Sequence, residues 1–120
     1  MVFVVDDDVS VRESLELLIE EAGWRAKMFA SAEEFLDHTR EPVASCLVLD
    51  VGLPDLNGLE LQKRVAGRPD LPIIFITARA DETVRKQLIA RGAVDCLFKP
   101  FSGQALKAAL DAALDGSRNR

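Results

Sequence analysis

The chain has 120 residues, 48% of them hydrophobic, which is enough for one domain with a core and too apolar for a disordered segment. No apolar run approaches the roughly 20 residues of a membrane span. We expect no signal peptide, because the opening MVFVV runs into three aspartates. The net charge of −5 excludes the basic surface with which a domain binds nucleic acid.

The first half of the chain contains three strand-like segments, VFVVDD, RAKMF and SCLVLDV. A helix is predicted from Ser10 to Ala22, where apolar residues share one face and Gly23 ends the helix. SAEE is typical of a capping box in which Ser31 caps the second helix and Glu34 reaches back. After the third strand, Pro54 and Gly58 turn the chain towards a short helix, Leu59 to Val65.

The second half contains two further strand-like segments, PIIFIT and VDCLFK. Asp81 is the predicted cap of the fourth helix, which ends at Gly92, and the fifth helix is predicted from Ser102 to Leu114. Strict alternation of strands and helices predicts an α/β fold with helices on both faces of a parallel sheet. We expect a flavodoxin-like, doubly wound, five-stranded sheet of order 2-1-3-4-5 with five helices.

Polar residues end four of the five predicted strands. In a parallel sheet these ends share one edge, and ligands of open α/β sheets bind beyond that edge where the strand order reverses. Three crowded carboxylates repel one another unless a cation joins them, and Mg²⁺ suits a few carboxylates together with phosphate. A carboxylate can attack phosphorus, a lysine can neutralise a phosphoryl oxygen, and a hydroxyl can donate to another. The residues concerned are Asp6, Asp7, Asp50, Thr77 and Lys99.

The motifs VVDDD, LVLDVGLPDLNG, IIFITA and LFKPF resemble those of the receiver domain of two-component response regulators. The segments DDDVSVRESL, FASAEEFL and RGAVDCLFKPF are most similar to receivers of the FixJ/NarL type. The resemblance covers Val2 to about Leu114, and we predict a receiver domain over residues 1–116 and a linker or tail over 117–120. It also implies a longer parent protein with a separate output domain that controls transcription.

The resemblance implies a role for each site residue. Asp50 matches the phosphoacceptor, and Thr77 and Lys99 match the hydroxyl and the lysine that contact the phosphoryl group. Pro100 matches a proline that commonly follows a cis peptide bond. The predicted Mg²⁺ ligands are Asp6, acting largely through bound water, Asp7, Asp50 and the main-chain carbonyl of Gly52. One departure is Cys96, at a position where the family usually has an aromatic ring that moves with the threonine.

The resemblance also implies partners and a location. We expect phosphorylation by a sensor histidine kinase and a phosphorylation-dependent homodimer through the face of the fourth helix, fifth strand and fifth helix. From the charge and the lack of a long apolar run, we expect no direct contact of this domain with nucleic acid and none with membrane. Cys46 and Cys96 lack metal-ligand spacing, and three strands in a row would hold them too far apart for a disulfide. Free thiols in a reducing compartment agree with a cytoplasmic location.

Other functional classes remain open on the sequence. An aspartate-nucleophile phosphohydrolase also uses a carboxylate at a strand end with Mg²⁺, but it usually has a second aspartate at the position of Gly52. A flavin-binding domain needs a hydroxyl-rich phosphate loop after the first strand, where this chain has DDDVS. A receiver that is never phosphorylated would not need the full polar set. We therefore expect a phosphorylation switch rather than a turnover enzyme.

Overall fold

The computed structural model describes residues 1–37, 46–51, 72–78 and 81–118. The strands in these ranges are β1 Val2–Val5, β2 Ala26–Phe29, β3 Cys46–Asp50, β4 Ile73–Thr77 and β5 Asp95–Phe98. The helices are α1 Val9–Glu21, α2 Ala32–Asp37, α3 Glu82–Ala90 and α4 Gly103–Arg118. The predicted third helix, Leu59 to Val65, lies outside the described residues, so α3 and α4 are the fourth and fifth predicted helices. None of the described helices has the length and apolar content of a membrane span.

The five strands form one parallel sheet in the order β2-β1-β3-β4-β5, which confirms the predicted topology. The chain moves outward from β1 to β2 and then crosses back to β3 on the other side of β1. Val5 is level with Leu49 across the β1–β3 pair, and Asp50 is level with Ile76 across the β3–β4 pair. The carboxyl ends of β1 and β3 are therefore neighbours at the point where the strand order reverses.

The sheet is buried on both faces. Side chains of a strand alternate between the two faces, so each central strand contributes to two core clusters. Phe3, Leu47 and Phe75 belong to a core cluster that also contains Phe35 of α2 and Leu88 of α3. The neighbouring residues of the same strands point to a second cluster, which is covered by α1 and α4; its members include Val4, Val48, Ile74, Leu15, Ile19, Leu106 and Leu110. The apolar β3 and β4 segments are thus central strands that need no polar face.

The helix starts depend on side-chain caps, and the structure moves two predicted starts. Asp8 caps α1 by accepting from Ser10 N at 2.8 Å, so the helix begins at Val9 rather than Ser10. Ser102 Oγ accepts from Ala105 N at 3.0 Å, so Ser102 caps α4 instead of forming its first turn. The cap predicted at Asp81 is confirmed, since its carboxylate accepts from Thr83 N at 3.0 Å.

The capping contacts of α2 and the glycine that ends α1 agree with the prediction from the sequence. Ser31 Oγ accepts from Glu34 N at 3.1 Å, and the Glu34 carboxylate accepts from Ala30 N at 2.8 Å, one residue earlier than in a standard capping box. Gly23 ends α1 with a φ of +96°, a conformation that favours glycine. α4 runs to Arg118, four residues beyond the predicted end at Leu114.

Candidate functional site

Three carboxylates meet at the carboxyl edge of the sheet. Asp6 and Asp7 directly follow β1, and Asp50 is the last residue of β3. One carboxylate oxygen from each residue lies within 4.8 Å of the others. The three residues come together because β1 and β3 are adjacent and parallel, and Asp6 and Asp50 are the residues that follow the Val5–Leu49 pair. The sequence predicted this juxtaposition from the strand ends alone.

The three carboxylates have different surroundings. Asp6 is fully buried and Asp50 is 8% exposed, whereas Asp7 is exposed. Both side-chain oxygens of Asp6 accept hydrogen bonds, Oδ1 from Asp8 N at 2.9 Å and Oδ2 from Lys99 Nζ at 3.0 Å. The charge of Asp6 is therefore compensated within the protein, which burial requires. Asp7 remains open to solvent and to an incoming ligand.

Lys99 follows β5 and reaches across the sheet edge to two of these carboxylates. Its Nζ lies 3.0 Å from Asp6 Oδ2 and 3.6 Å from Asp50 Oδ2. Burial lowers the pKa of Lys99, but the hydrogen bond to Asp6 and the charges of Asp50 and Asp6 outweigh it and raise the pKa above its ordinary value. Lys99 therefore keeps its positive charge at neutral pH.

Thr77 and the turn after β5 complete the described part of the edge. Thr77 is the last residue of β4 and is half-buried, and its main-chain carbonyl accepts from Lys99 N at 2.7 Å. The next peptide bond, Lys99–Pro100, is cis, as the resemblance implies. Asp50 and Thr77 are the last residues of β3 and β4, and Lys99 directly follows β5, so the three residues lie at the ends of three successive strands. Gly52, the predicted main-chain metal ligand, lies outside the described residues.

Cys96 does not provide a side chain that could swing between two positions. It is 3% exposed and packs in the cluster beneath α2 and α3, and burial raises the pKa of its thiol above the ordinary value against the opposing charge of Arg85. Phe98 borders the same cluster, whereas Phe101 borders the cluster beneath α1 and α4. The two rings near Lys99 thus belong to opposite faces of the sheet. Cys46 and Cys96 are both free, as predicted.

The three carboxylates fit a small hard cation. Their donors are all oxygens, the ligand type that Mg²⁺ prefers, and a carboxylate can accept about four contacts in all. Asp6 keeps free lone pairs after its two hydrogen bonds, and Asp7 is exposed on the same side. Lys99 supplies one positive charge against three negative ones. A divalent cation would balance the two negative charges of the carboxylates that Lys99 does not offset.

Arg12 is a neighbour of the site that is not among the residues predicted from the sequence. Its Nη1 donates to the main-chain carbonyl of Asp6 at 2.7 Å. Arg12 lies in the first turn of α1, where a cation opposes the helix macrodipole. That unfavourable placement is the signal in the sequence that could have indicated a specific contact.

Comparison with known proteins gives one consistent result. Residues 2–111 match the model of the response regulator receiver domain family. Nodulation protein W of Bradyrhizobium diazoefficiens is 46% identical over 121 residues, which cover 100% of this chain and 53% of that protein. The transcriptional regulatory protein FixJ of the same organism is 37% identical over 114 residues, 94% of this chain and 56% of that protein.

A solved structure gives the same fold. The beryllofluoride-activated NtrC4 receiver domain dimer is 29% identical, with a TM-score of 0.88 over 97% of this chain and 97% of that one. The chain spans about half the length of the curated relatives described above, at 53% and 56%.

Proposed function

This chain belongs to the response regulator receiver domain family, and we propose that Asp50 is its phosphoryl acceptor. Receiver domains act as signalling switches and not as turnover enzymes, so the phosphohydrolase alternative is not favoured. The observation that supports Asp50 is its position. It is the one member of the acidic cluster that ends a central strand, lies 3.6 Å from Lys99 and keeps partial exposure to solvent.

The proposed reaction is a single displacement at phosphorus. A side-chain oxygen of Asp50 forms the new P–O bond while the P–N bond of a phosphohistidine breaks. The phosphohistidine ring carries a proton on its other nitrogen and a positive charge, so it leaves with the electron pair as neutral imidazole. We propose that the phosphohistidine belongs to a sensor histidine kinase. Lys99 Nζ balances the charge of the transferred group, and the Thr77 hydroxyl donates to one of its oxygens.

The acidic pair has a supporting role in this proposal. Receiver domains generally bind Mg²⁺ in an acidic pocket, and here we assign the ligands to Asp6, Asp7, Asp50 and the main-chain carbonyl of Gly52. The cation would neutralise the transferring group and its nucleophile together. Because both oxygens of Asp6 already accept hydrogen bonds, we assign Asp6 a contact through metal-bound water. Asp7 and Asp50 are the proposed direct ligands.

We further propose that phosphorylation of Asp50 controls a transcriptional output domain in a longer parent protein. Both curated relatives described above are about twice as long as this chain, and one is named as a transcriptional regulator. Phosphorylation would shift the population towards a pre-existing active conformation, and two copies in this conformation would form a dimer through α3, β5 and α4. The solved NtrC4 receiver dimer supports a dimer as one outcome. We place the protein in the cytoplasm, where its free thiols would remain reduced.

Phosphorylation with a small donor tests this proposal directly. The purified chain is incubated with acetyl phosphate and Mg²⁺ and analysed by intact-mass spectrometry, with Asp50→Asn as the variant and Asp111→Asn as the control. Asp111 is a surface carboxylate of α4 that pairs with Lys107. We expect one added phosphoryl group in the wild type and in Asp111→Asn, and none in Asp50→Asn. Equal labelling of Asp50→Asn would show that another residue is the acceptor.

A further inference from the structure

The main-chain carbonyl of Asp6 lies where the hydrogen-bond ladder between β1 and β2 ends. The last bond of this ladder runs from Asp6 N to the carbonyl of Phe29, at 3.2 Å. A parallel ladder would next use the Asp6 carbonyl as acceptor for the N–H of Ser31. Within the described residues no such bond forms, because Ser31 begins the turn into α2 and caps that helix. A buried carbonyl without a partner would be costly.

The side chain of Arg12 supplies the missing donor. Arg12 Nη1 lies 2.7 Å from the Asp6 carbonyl, and this is among the shortest hydrogen bonds in the described structure. The carbonyl thereby exchanges a partner on β2 for a partner on α1. The end of β1 is bonded to β2 by its N–H group and to α1 by its carbonyl group.

This contact closes the turn that carries the acidic pair. Asp8 N donates to Asp6 Oδ1 at 2.9 Å, and the Asp8 carbonyl accepts from Arg12 N at 3.0 Å. The guanidinium of Arg12 then returns to the main chain of Asp6. The segment Asp6–Asp8 is thus tied to the first turn of α1 at both of its ends. Asp7, exposed in the middle of this segment, can move only as far as these bonds allow.

We propose that Arg12 is a positioning residue for the metal site: it holds the β1–α1 turn so that Asp6 and Asp7 stay converged on Asp50 before a cation binds. This inference rests on the proposed Mg²⁺ site. Like charges whose oxygens lie within 4.8 Å repel one another, so the exposed Asp7 needs a restrained main chain to remain near the other two. Arginine suits the role because its guanidinium is long, planar and permanently charged.

The sign of the effect on Mg²⁺ binding separates positioning from simple electrostatics. Arg12 carries a positive charge near a site for a cation, so removal of that charge alone would tighten Mg²⁺ binding. Loss of positioning would weaken it, and residues that orient metal ligands typically change metal affinity by about 10- to 100-fold. We therefore expect Arg12→Met to bind Mg²⁺ about 10-fold more weakly than the wild type.

The experiment measures the dissociation constant of Mg²⁺ alone by NMR titration of the unphosphorylated protein. The control is Arg25→Met, which removes the same charge at the opposite edge of the sheet, where Arg25 precedes β2. Amide hydrogen exchange without Mg²⁺ is a second readout, in which Asp8 N–H should exchange at least several-fold faster in Arg12→Met. Arg12→Lys, which keeps one donor and the charge, should give an intermediate affinity.

Each outcome decides one question. If Arg12→Met binds Mg²⁺ as tightly as Arg25→Met or more tightly, Arg12 does not position the ligands and the inference is wrong. If the wild type itself binds no Mg²⁺, the proposed metal site fails instead. Urea unfolding shows whether each variant is folded, and if Arg12→Met is not, the same titration with Arg12→Gln decides.

Discussion

Asp6 and Lys99 form a pair whose environment differs from that of an ordinary surface ion pair. Asp6 is fully buried and the Lys99 side chain is 22% exposed, with 3.0 Å between Nζ and Oδ2. Lys107 and Asp111 approach to 2.9 Å on α4, but their side chains are 58% and 40% exposed. From the distances alone, the two pairs would be expected to contribute equally to stability. Burial makes only the first one costly to break.

We predict that Lys99→Met destabilises the metal-free protein by about 2 kcal/mol, because the buried Asp6 charge loses its cationic partner and keeps the hydrogen bond from Asp8 N. Lys107→Met, the matched control, should cost no more than about 0.5 kcal/mol. Urea unfolding in EDTA at pH 7 measures both. The second change Asp6→Asn should restore part of the loss in Lys99→Met. Equal losses in the two lysine variants would contradict the assigned role of burial.

The thiol of Cys46 makes stability depend on alkaline pH. Burial raises the pKa of Cys46 from 9.0 to about 12, against a smaller opposing effect of the amino terminus. The unfolded thiol ionises near pH 9 and the native thiol only near 12, so the unfolded state loses its proton first. The stabilising contribution is complete below pH 9 and is lost as the pH rises towards 12.

We therefore predict a steeper loss of stability from pH 8.5 to 10.5 in the wild type than in Cys46→Ala. The measurement is urea unfolding at several pH values in this interval, compared as the difference between the two proteins at each pH. The difference cancels contributions of groups that both proteins share. A difference that stays constant with pH would show that Cys46 does not cause the dependence.

Arg85 adds polar contacts to the apolar packing between α3 and β5. Arg85 Nη2 lies 3.2 Å from Asp95 Oδ1, and Arg85 Nε donates to the Cys96 carbonyl at 3.4 Å. β5 is an edge strand, and the Cys96 carbonyl on it accepts from a side chain of α3. Arg85 therefore covers the open edge at the residue where the family usually has a ring. Since Cys96 cannot swing, this contact is a physical link between α3 and the strand that carries Lys99.

We predict that Arg85→Ala lowers the free energy of unfolding by about 0.5–1 kcal/mol, a small value because the pair is about one-third exposed. Lys86→Ala, the neighbouring exposed residue on α3, should change it by less. Native-state hydrogen exchange should also show faster exchange of the Cys96 amide, which donates to Asp95 at 2.7 Å. Unchanged exchange in Arg85→Ala would mean that the contact does not hold β5.

Strand positions and helix faces could be predicted because they depend on local pattern. All five strands were predicted from their sequence pattern, and the polar residues that end four of them placed Asp6, Asp7 and Asp50 at one edge. The start of α1 was wrong by one residue, because both Asp8 and Ser10 are good caps and only the backbone decides between them. Local pattern therefore determines which elements form, and less reliably where they begin.

Side-chain partners across the sheet could not be predicted in the same way. Lys99 pairs with Asp6, which is 93 residues away in the sequence. Which carboxylate Lys99 contacts depends on how far the ends of β1, β3 and β5 extend along the edge of the sheet. Arg12 contacts a main-chain carbonyl that is available only because the chain turns away after Phe29. Both contacts arise from the assembled sheet, so a pattern read along one segment contains neither.

The whole molecule supports the acidic edge from both sides. The strands that carry Asp6 and Asp50 are buried beneath α2 and α3 on one face and beneath α1 and α4 on the other. The ends of these strands therefore cannot separate to relieve repulsion without disturbing the core. In a cooperative domain of this size, strain at the edge appears in the free energy of global unfolding. The metal-free site should accordingly lower the stability of the entire chain.

We predict that Asp7→Asn is more stable than the wild type in EDTA by about 1 kcal/mol, because it removes one of three repelling charges while Lys99 still compensates Asp6. Mg²⁺ should reverse this order. At 100 times its dissociation constant a ligand stabilises the native state by about 2.7 kcal/mol, and only a protein that keeps the site receives this gain. Urea unfolding with and without Mg²⁺ measures both differences, with Asp111→Asn as the surface control. If Asp7→Asn gained as much stability from Mg²⁺ as the wild type, Asp7 would not be a ligand. If Asp7→Asn were less stable than the wild type in EDTA, the three carboxylates would not destabilise the metal-free protein by repulsion.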